Sequence, residues 1–199
     1  MLRTAYCLML ILLLSLVATA EENHEDHEAL RATLAGATAA VNEERFQDLP
    51  QYFHDDLRVT TVNQELITKP EGLEPYFRSW VGPDKYVKTM KMSMEADDLT
   101  EFRGTGDSRF GVCHGTGVEE YDLADGRYLT VKTRWTATVV PSGDGGWKIL
   151  TLHLGANFYD NQIVEQFQSA AKTYPPIAGV VGIVVGLLLG LFLGRKKKA

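Results

Sequence analysis

From Phe110 to Tyr159 the chain reads FGVCHGTGVEEYDLADGRYLTVKTRWTATVVPSGDGGWKILTLHLGANFY. Phe110–Tyr121 and Arg127–Val140 are rich in β-branched and aromatic residues, as strands are. The segment between them, Asp122-Leu123-Ala124-Asp125-Gly126, closes on Asp-Gly, a hairpin turn. Pro141–Gly146 is a second loop, leading into Trp147–Tyr159. Three long strands joined by short loops predict an antiparallel meander. Along the middle strand Val131, Thr133, Trp135, Ala137 and Val139 share a face, with Lys132 and Arg134 opposite. In the last strand Trp147, Ile149, Thr151, His153 and Asn157 share one face. Lys148, Leu150, Leu152, Leu154 and Phe158 form the other, more apolar face, which is expected to meet the helices and leave His153 outside.

Upstream, Leu30, Leu34, Ala37 and Val41 step by helical intervals and predict one amphipathic helix. Asn42-Glu43-Glu44-Arg45 breaks it. Phe46-Gln47-Asp48-Leu49 starts a short helical piece whose apolar side is Leu49, Tyr52 and Phe53. His54-Asp55-Asp56 turns the chain into a predicted strand over Leu57–Val62. Pro70-Glu71-Gly72 opens another helix with Leu73, Tyr76, Phe77 and Trp80 facing inward, and Gly82-Pro83-Asp84 ends it. Met90, Met92 and Met94 alternate with polar residues, the pattern of a half-buried strand filled by adaptable thioethers. Helices precede sheet, so the fold class is α+β.

The two ends are of different material. One basic residue, an apolar run over Ala5–Ala18 and an Ala-x-Ala exit at Ala18–Ala20 read as a signal peptide over residues 1–20. Ile177–Gly194 is uncharged and is followed by Arg195-Lys196-Lys197-Lys198. It reads as a transmembrane helix over 177–194 with a cytoplasmic basic tail over 195–199. The expectation is a single-pass type I protein whose domain, residues 21–174, lies outside the cytoplasm, in a periplasm or beyond the cell. Gly182, Gly186, Gly190 and Gly194 recur every four residues, a small-residue stripe suited to helix–helix association in the bilayer.

The formal charge of −6 over 199 residues hides this partition. All 26 acids fall between Glu21 and Tyr174, whereas Arg3 and the four tail bases lie outside, so the domain has 15 bases against 26 acids, or −11. Such a domain is unsuited to nucleic acid. Signal removal takes Cys7 and leaves Cys113 as the one thiol, so no internal disulfide is expected. The sequence contains no metal triad, no dinucleotide fingerprint and no phosphate loop, and neither metal nor cofactor is expected.

The helix Leu34–Val41, then Phe46–Leu57, then Gly72-Leu73-Glu74-Pro75-Tyr76-Phe77 and a strand reaching Gly146-Trp147-Lys148-Ile149 resembles the nuclear transport factor 2-like superfamily, in its SnoaL-like branch, over about residues 27–160. The resemblance implies a cone in which a curved antiparallel sheet wraps helices around an apolar pocket. Tyr76, Trp80, Met92 and Trp135 are the expected ligand-pocket residues. Members include ketosteroid isomerases, polyketide cyclases, dehydratases and epoxide hydrolases, while others bind ligands or dimerise. The isomerase base falls at Thr61 and its oxyanion tyrosine near Ala37, so neither catalytic group is present.

Two functions remain open. The first is a module anchored in the bilayer by its C-terminal helix, acting as a homodimer, that binds a small apolar ligand or a protein partner. The second is an enzyme of the cyclase, isomerase or dehydratase type, with His114, Arg134 and His153 as candidate catalytic residues converging on the cone.

Overall fold

The computed structural model describes residues 23–143, 145–157, 159 and 162–196, the last stretch in part by backbone alone. The expected signal peptide, residues 1–20, lies outside them. The chain divides into two units that part after Ala156.

In the first unit, helix α1 spans His24–Asn42, with Glu25 and Asp26 in its first turn, where the helix dipole favours acids. Tyr52 crosses α1 directly over Gly36, where any Cβ would come within 2.6 Å of the phenol. That close approach seats the 3-10 segment Phe46–Tyr52 on the helix. Strand β1 (Phe53–Thr60) and the short β2 (Leu66–Ile67) follow. Helix α2 (Leu73–Trp80) is entered through Pro70, whose missing N–H costs nothing in a first turn.

Strands β3 (Val87–Ala96), β4 (Glu101–Arg103), β5 (Phe110–Leu123), β6 (Tyr128–Pro141) and β7 (Trp147–Ala156) complete one sheet. Its order is β2-β1-β7-β6-β5-β3, with β4 beside β5. The β5-β6-β7 meander forms as the loops predict. The sheet is mixed rather than antiparallel throughout, because β1 pairs β7 in parallel, Val59 opposite Leu152. These two strands are neighbours in space and far apart in sequence, so no hairpin imposes an antiparallel sense on them. The first strand also starts earlier than its β-branched run, at Phe53.

Strand β7 corrects the predicted division of faces. Thr138 pairs Thr151 and Val139 pairs Ile149, so Leu150 is an extra residue, a β-bulge. The bulge reverses the alternation. Trp147 and Ile149 are buried before it, and Leu154 is buried after it. A strict period of two fits only the second half of the strand.

Strand β5 carries Gly111, Gly115 and Gly117 toward the interior. At Gly115 a Cβ would meet the Glu95 carbonyl oxygen at 1.9 Å and the Trp135 indole at 2.5 Å. The missing side chain lets Trp135 lie flat on the strand, and its Nε1 donates to the Thr116 carbonyl at 2.9 Å. At the free edge Asn42 grips β3: Nδ2 donates to the Met92 carbonyl at 2.8 Å, and the Met92 N–H donates to Oδ1 at 2.7 Å. The side chain thus acts as a short piece of partner strand and ties α1 to the sheet.

In the second unit, helix α3 spans Gln162–Lys196 and continues through Pro175 and Pro176. Among the described residues no helix is long and apolar enough to cross a membrane. Side chains at 177 and 178 and from 188 onward, half of the expected span 177–194, lie outside the described residues.

Candidate functional site

The first unit encloses a cavity of about 500 Å³. Leu30, Leu34, Ala37 and Val41 of α1, the four residues of the helical stripe, form one wall. Met90, Met92 and Met94 of β3 form another, with Trp135, Ala137 and Val139 of β6 beyond them. From α2 come Tyr76, Phe77 and Trp80, a run of edge-on and tilted rings that reaches Tyr121 at 6.0 Å from Trp80. The residues expected to line a pocket, Tyr76, Trp80, Met92 and Trp135, thus all lie on this cavity.

The expected convergence of His114, Arg134 and His153 does not occur. None of the three lines the cavity. Arg134, with its side chain 60% exposed, pairs with Asp97 at 2.5 Å, and His114 lies 3.7 Å from the same carboxylate. His153 is exposed and sits opposite Thr136 on β6. Residues of that parity on β5 and β6 point away from the interior, and the bulge in β7 leaves His153 on the same outer side. Thr61 and Ala37, the positions where an isomerase would carry its base and its tyrosine, do line the cavity. Neither can move a proton near neutral pH.

The group that sequence reading missed is Glu119. It is 2% exposed, lines the cavity, and ranks with Phe46 and Leu57 among the largest fully buried side chains. Its β-sheet neighbours are Met92 on β3 and Val131 on β6. The Tyr121 hydroxyl donates to Oε2. Among the described residues no hydrogen bond reaches Oε1, and this oxygen is not sealed off by packing, so it opens onto the cavity. Burial pushes the Glu119 carboxyl above the usual carboxylate range, against the opposing pull of the Tyr121 hydroxyl. Burial, reinforced by the neighbouring Glu119 charge, pushes the Tyr121 phenol far up as well. One signal existed in the sequence: Glu119 has the parity of Cys113, Tyr121 and Leu123, a lone acid on the inward face of a strand.

Other polar groups are less suited to chemistry. The Tyr76 hydroxyl donates to Asn63 Oδ1 at 3.0 Å, and burial pushes its phenol up to about 12. The Cys113 thiol lines the cavity and is pushed up by burial, which favours the unreactive thiol. Arg31, Asp97 and Asp98 reach the cavity from exposed positions, and His27 from a half-buried one. No cluster of three metal-ligating side chains occurs among the described residues.

No family model matches the chain, and no curated protein is similar to it. Solved structures are. A candidate scytalone dehydratase from Novosphingobium aromaticivorans superposes with a TM-score of 0.56 at 12% identity, over 70% of this chain and 89% of that one. A hexachlorocyclohexane dehydrochlorinase of type 2 gives 0.53 at 17% identity, over 67% of this chain and 88% of the other. A ketosteroid isomerase-like protein from Erwinia carotovora atroseptica gives 0.53 at 14% identity, over 67% and 97%. The domain has the nuclear transport factor 2-like fold. Within that fold the neighbours' names span dehydration, dehydrochlorination and isomerisation, so the fold places the cavity and does not select a reaction.

Proposed function

We propose that the domain is a membrane-anchored, extracytoplasmic binder of a small apolar molecule, held in the interior cavity. The observation that carries this reading is the cavity itself. It has about 500 Å³ of space walled by methionine, aromatic and aliphatic side chains, within the range of small-ligand sites. Eighteen uncharged residues before a basic cluster support the anchor, and the apolar N-terminal run ending in Ala-x-Ala supports export. The stripe Gly182, Gly186, Gly190 and Gly194 supports pairing of two such anchors in the bilayer.

Titration of the purified full chain with 2-ethylnaphthalene, followed by tryptophan emission, tests the binding reading, since Trp80 and Trp135 border the cavity. Saturable binding that is lost in Ala37→Phe, with the melting temperature preserved, is the expected result. Absence of saturable binding in the unmodified chain rejects it. For the anchor, the full chain is expected to stay with membranes through alkaline extraction, and a chain ending at residue 174 to be released.

A second reading is supported by one observation, the Glu119 oxygen that opens onto the cavity. A carboxyl with a raised pKa in an apolar site is a competent proton donor. The enzyme reading therefore passes from His114, Arg134 and His153 to Glu119. Turnover of a carbonyl-bearing cyclic substrate, abolished in Glu119→Gln, would favour it over simple binding.

A further inference from the structure

The apolar walls of the cavity are interrupted at one deeply buried point. Glu119 is enclosed by Met92, Val131 and Tyr121, while Glu120 beside it and the cations of the neighbouring strands, Lys91 and Lys132, have the opposite parity and point to the other face. Among the described residues no cation faces it to stabilise an ionised carboxylate. The Tyr121 hydroxyl already occupies Oε2 as a donor, which assigns the carboxyl proton to Oε1, the oxygen that opens onto the cavity. A purely hydrocarbon ligand would seal this O–H away from any acceptor, an unfavourable arrangement.

We propose that Glu119 is the polar anchor of the cavity, and that its ligand is an apolar molecule bearing one carbonyl oxygen, which accepts a hydrogen bond from Glu119 Oε1. This inference rests on the cavity being a ligand site, and it adds the chemical class of the ligand and the residue that selects it. The raised pKa of the carboxyl is consistent with a neutral donor. Tyr121 is a positioning residue: its bond to Oε2 fixes the rotamer that turns Oε1 inward.

Three probes of one shape test this on the full chain: 2-acetylnaphthalene, 2-ethylnaphthalene and 2-(1-aminoethyl)naphthalene. The ketone is expected to bind about tenfold more tightly than the hydrocarbon, the worth of one good hydrogen bond. Its carbonyl stretch is expected to move to lower frequency when bound, a readout that needs no variant. Glu119→Met should erase the tenfold preference while leaving hydrocarbon binding intact, and Glu119→Gln, which keeps an N–H donor, should retain most of it. Equal binding of ketone and hydrocarbon, with an unshifted carbonyl stretch, overturns the anchor and leaves the apolar cavity standing. Preference for the amine overturns it too, since that requires an ionised carboxylate. Failure of all three probes to bind overturns the cavity reading and this inference with it.

Discussion

The Tyr121 hydroxyl donates to Glu119 Oε2, two residues away on the inward face of β5, and both side chains are less than a tenth exposed. A carboxyl and a phenol thus face an otherwise apolar interior from one strand. Gly111, Gly115 and Gly117 share that inward face, where Val139, Trp135 and Thr133 of β6 close over them.

This pair sets an alkaline limit on stability. Burial raises the Glu119 pKa above its unfolded value, so the folded state favours the protonated form. Its stabilising contribution is complete below the unfolded pKa and is lost as pH rises through the raised folded value. Glu119→Gln removes the titration. Melting temperatures followed from about pH 4 to about pH 9 should fall on the alkaline side in the unmodified chain and stay flatter in the variant. Parallel curves would show that Glu119 does not titrate in this range.

Asp26 acts in the opposite direction. Burial alone would raise its pKa, but the Trp147 indole N–H at 2.9 Å and the Arg109 guanidinium at 2.5 Å outweigh it and hold the carboxyl below its ordinary value. Arg109 also lies over the Phe102 and Trp147 rings, at 4.7 and 5.2 Å, so one carboxylate organises a stack of three side chains. The contribution is present above the unfolded pKa and lost as pH falls through the lowered folded one. Asp26→Asn should cost about 1–3 kcal/mol near neutral pH in urea unfolding. The difference from the unmodified chain should shrink in acid.

Asn42 offers a test of how the helix is tied to the sheet. Its two bonds to Met92 satisfy a backbone donor and acceptor on an edge strand. Asn42→Ala should cost about 2 kcal/mol. Faster amide exchange should appear at Met92 first, because that N–H loses its bond to Asn42 Oδ1. A loss of stability without a change at Met92 would place the effect elsewhere.

The sequence carried the element order well because periodicity and turn chemistry are local. Leu30, Leu34, Ala37 and Val41 were legible as one helix face, and Asp125-Gly126 as the turn of the β5–β6 hairpin. Long-range facts were not legible. The parallel β1–β7 pairing depends on which strands meet, and the Leu150 bulge is set by the register of β6 against β7, which no count within one strand contains. The site followed the same division. Tyr76, Trp80, Met92 and Trp135 could be placed by pattern, being apolar on apolar faces. His114, Arg134 and His153 drew notice as reactive residue types, yet their parity and the bulge put them outside. Glu119 was hidden by chemistry: an acid beside a second acid, Glu120, reads as surface until its alternation with Tyr121 and Leu123 is counted.

The glycines of β5 and β7 give a paired test of why the cavity has its shape. A Cβ at Gly115 would strike the Glu95 carbonyl at 1.9 Å and the Trp135 ring at 2.5 Å, while at Gly155 nothing lies within 4 Å. Backbone on one side and a packed indole on the other leave Gly115→Ala no inexpensive relaxation. It should cost about 1–3 kcal/mol, the usual range for overpacking. Gly155→Ala should be neutral or stabilising by roughly 0.4–1 kcal/mol, through lower chain entropy in the unfolded state. The two variants add the same methyl group, so their difference reports the close approach of β5 to the Glu95 carbonyl and the Trp135 ring together. Because Trp135 borders the cavity, Gly115→Ala should also weaken binding of 2-acetylnaphthalene, and Gly155→Ala should leave it unchanged. Equal melting temperatures for the two variants would mean that β5 and Trp135 can separate freely, and the wall they form would then not be fixed by this contact.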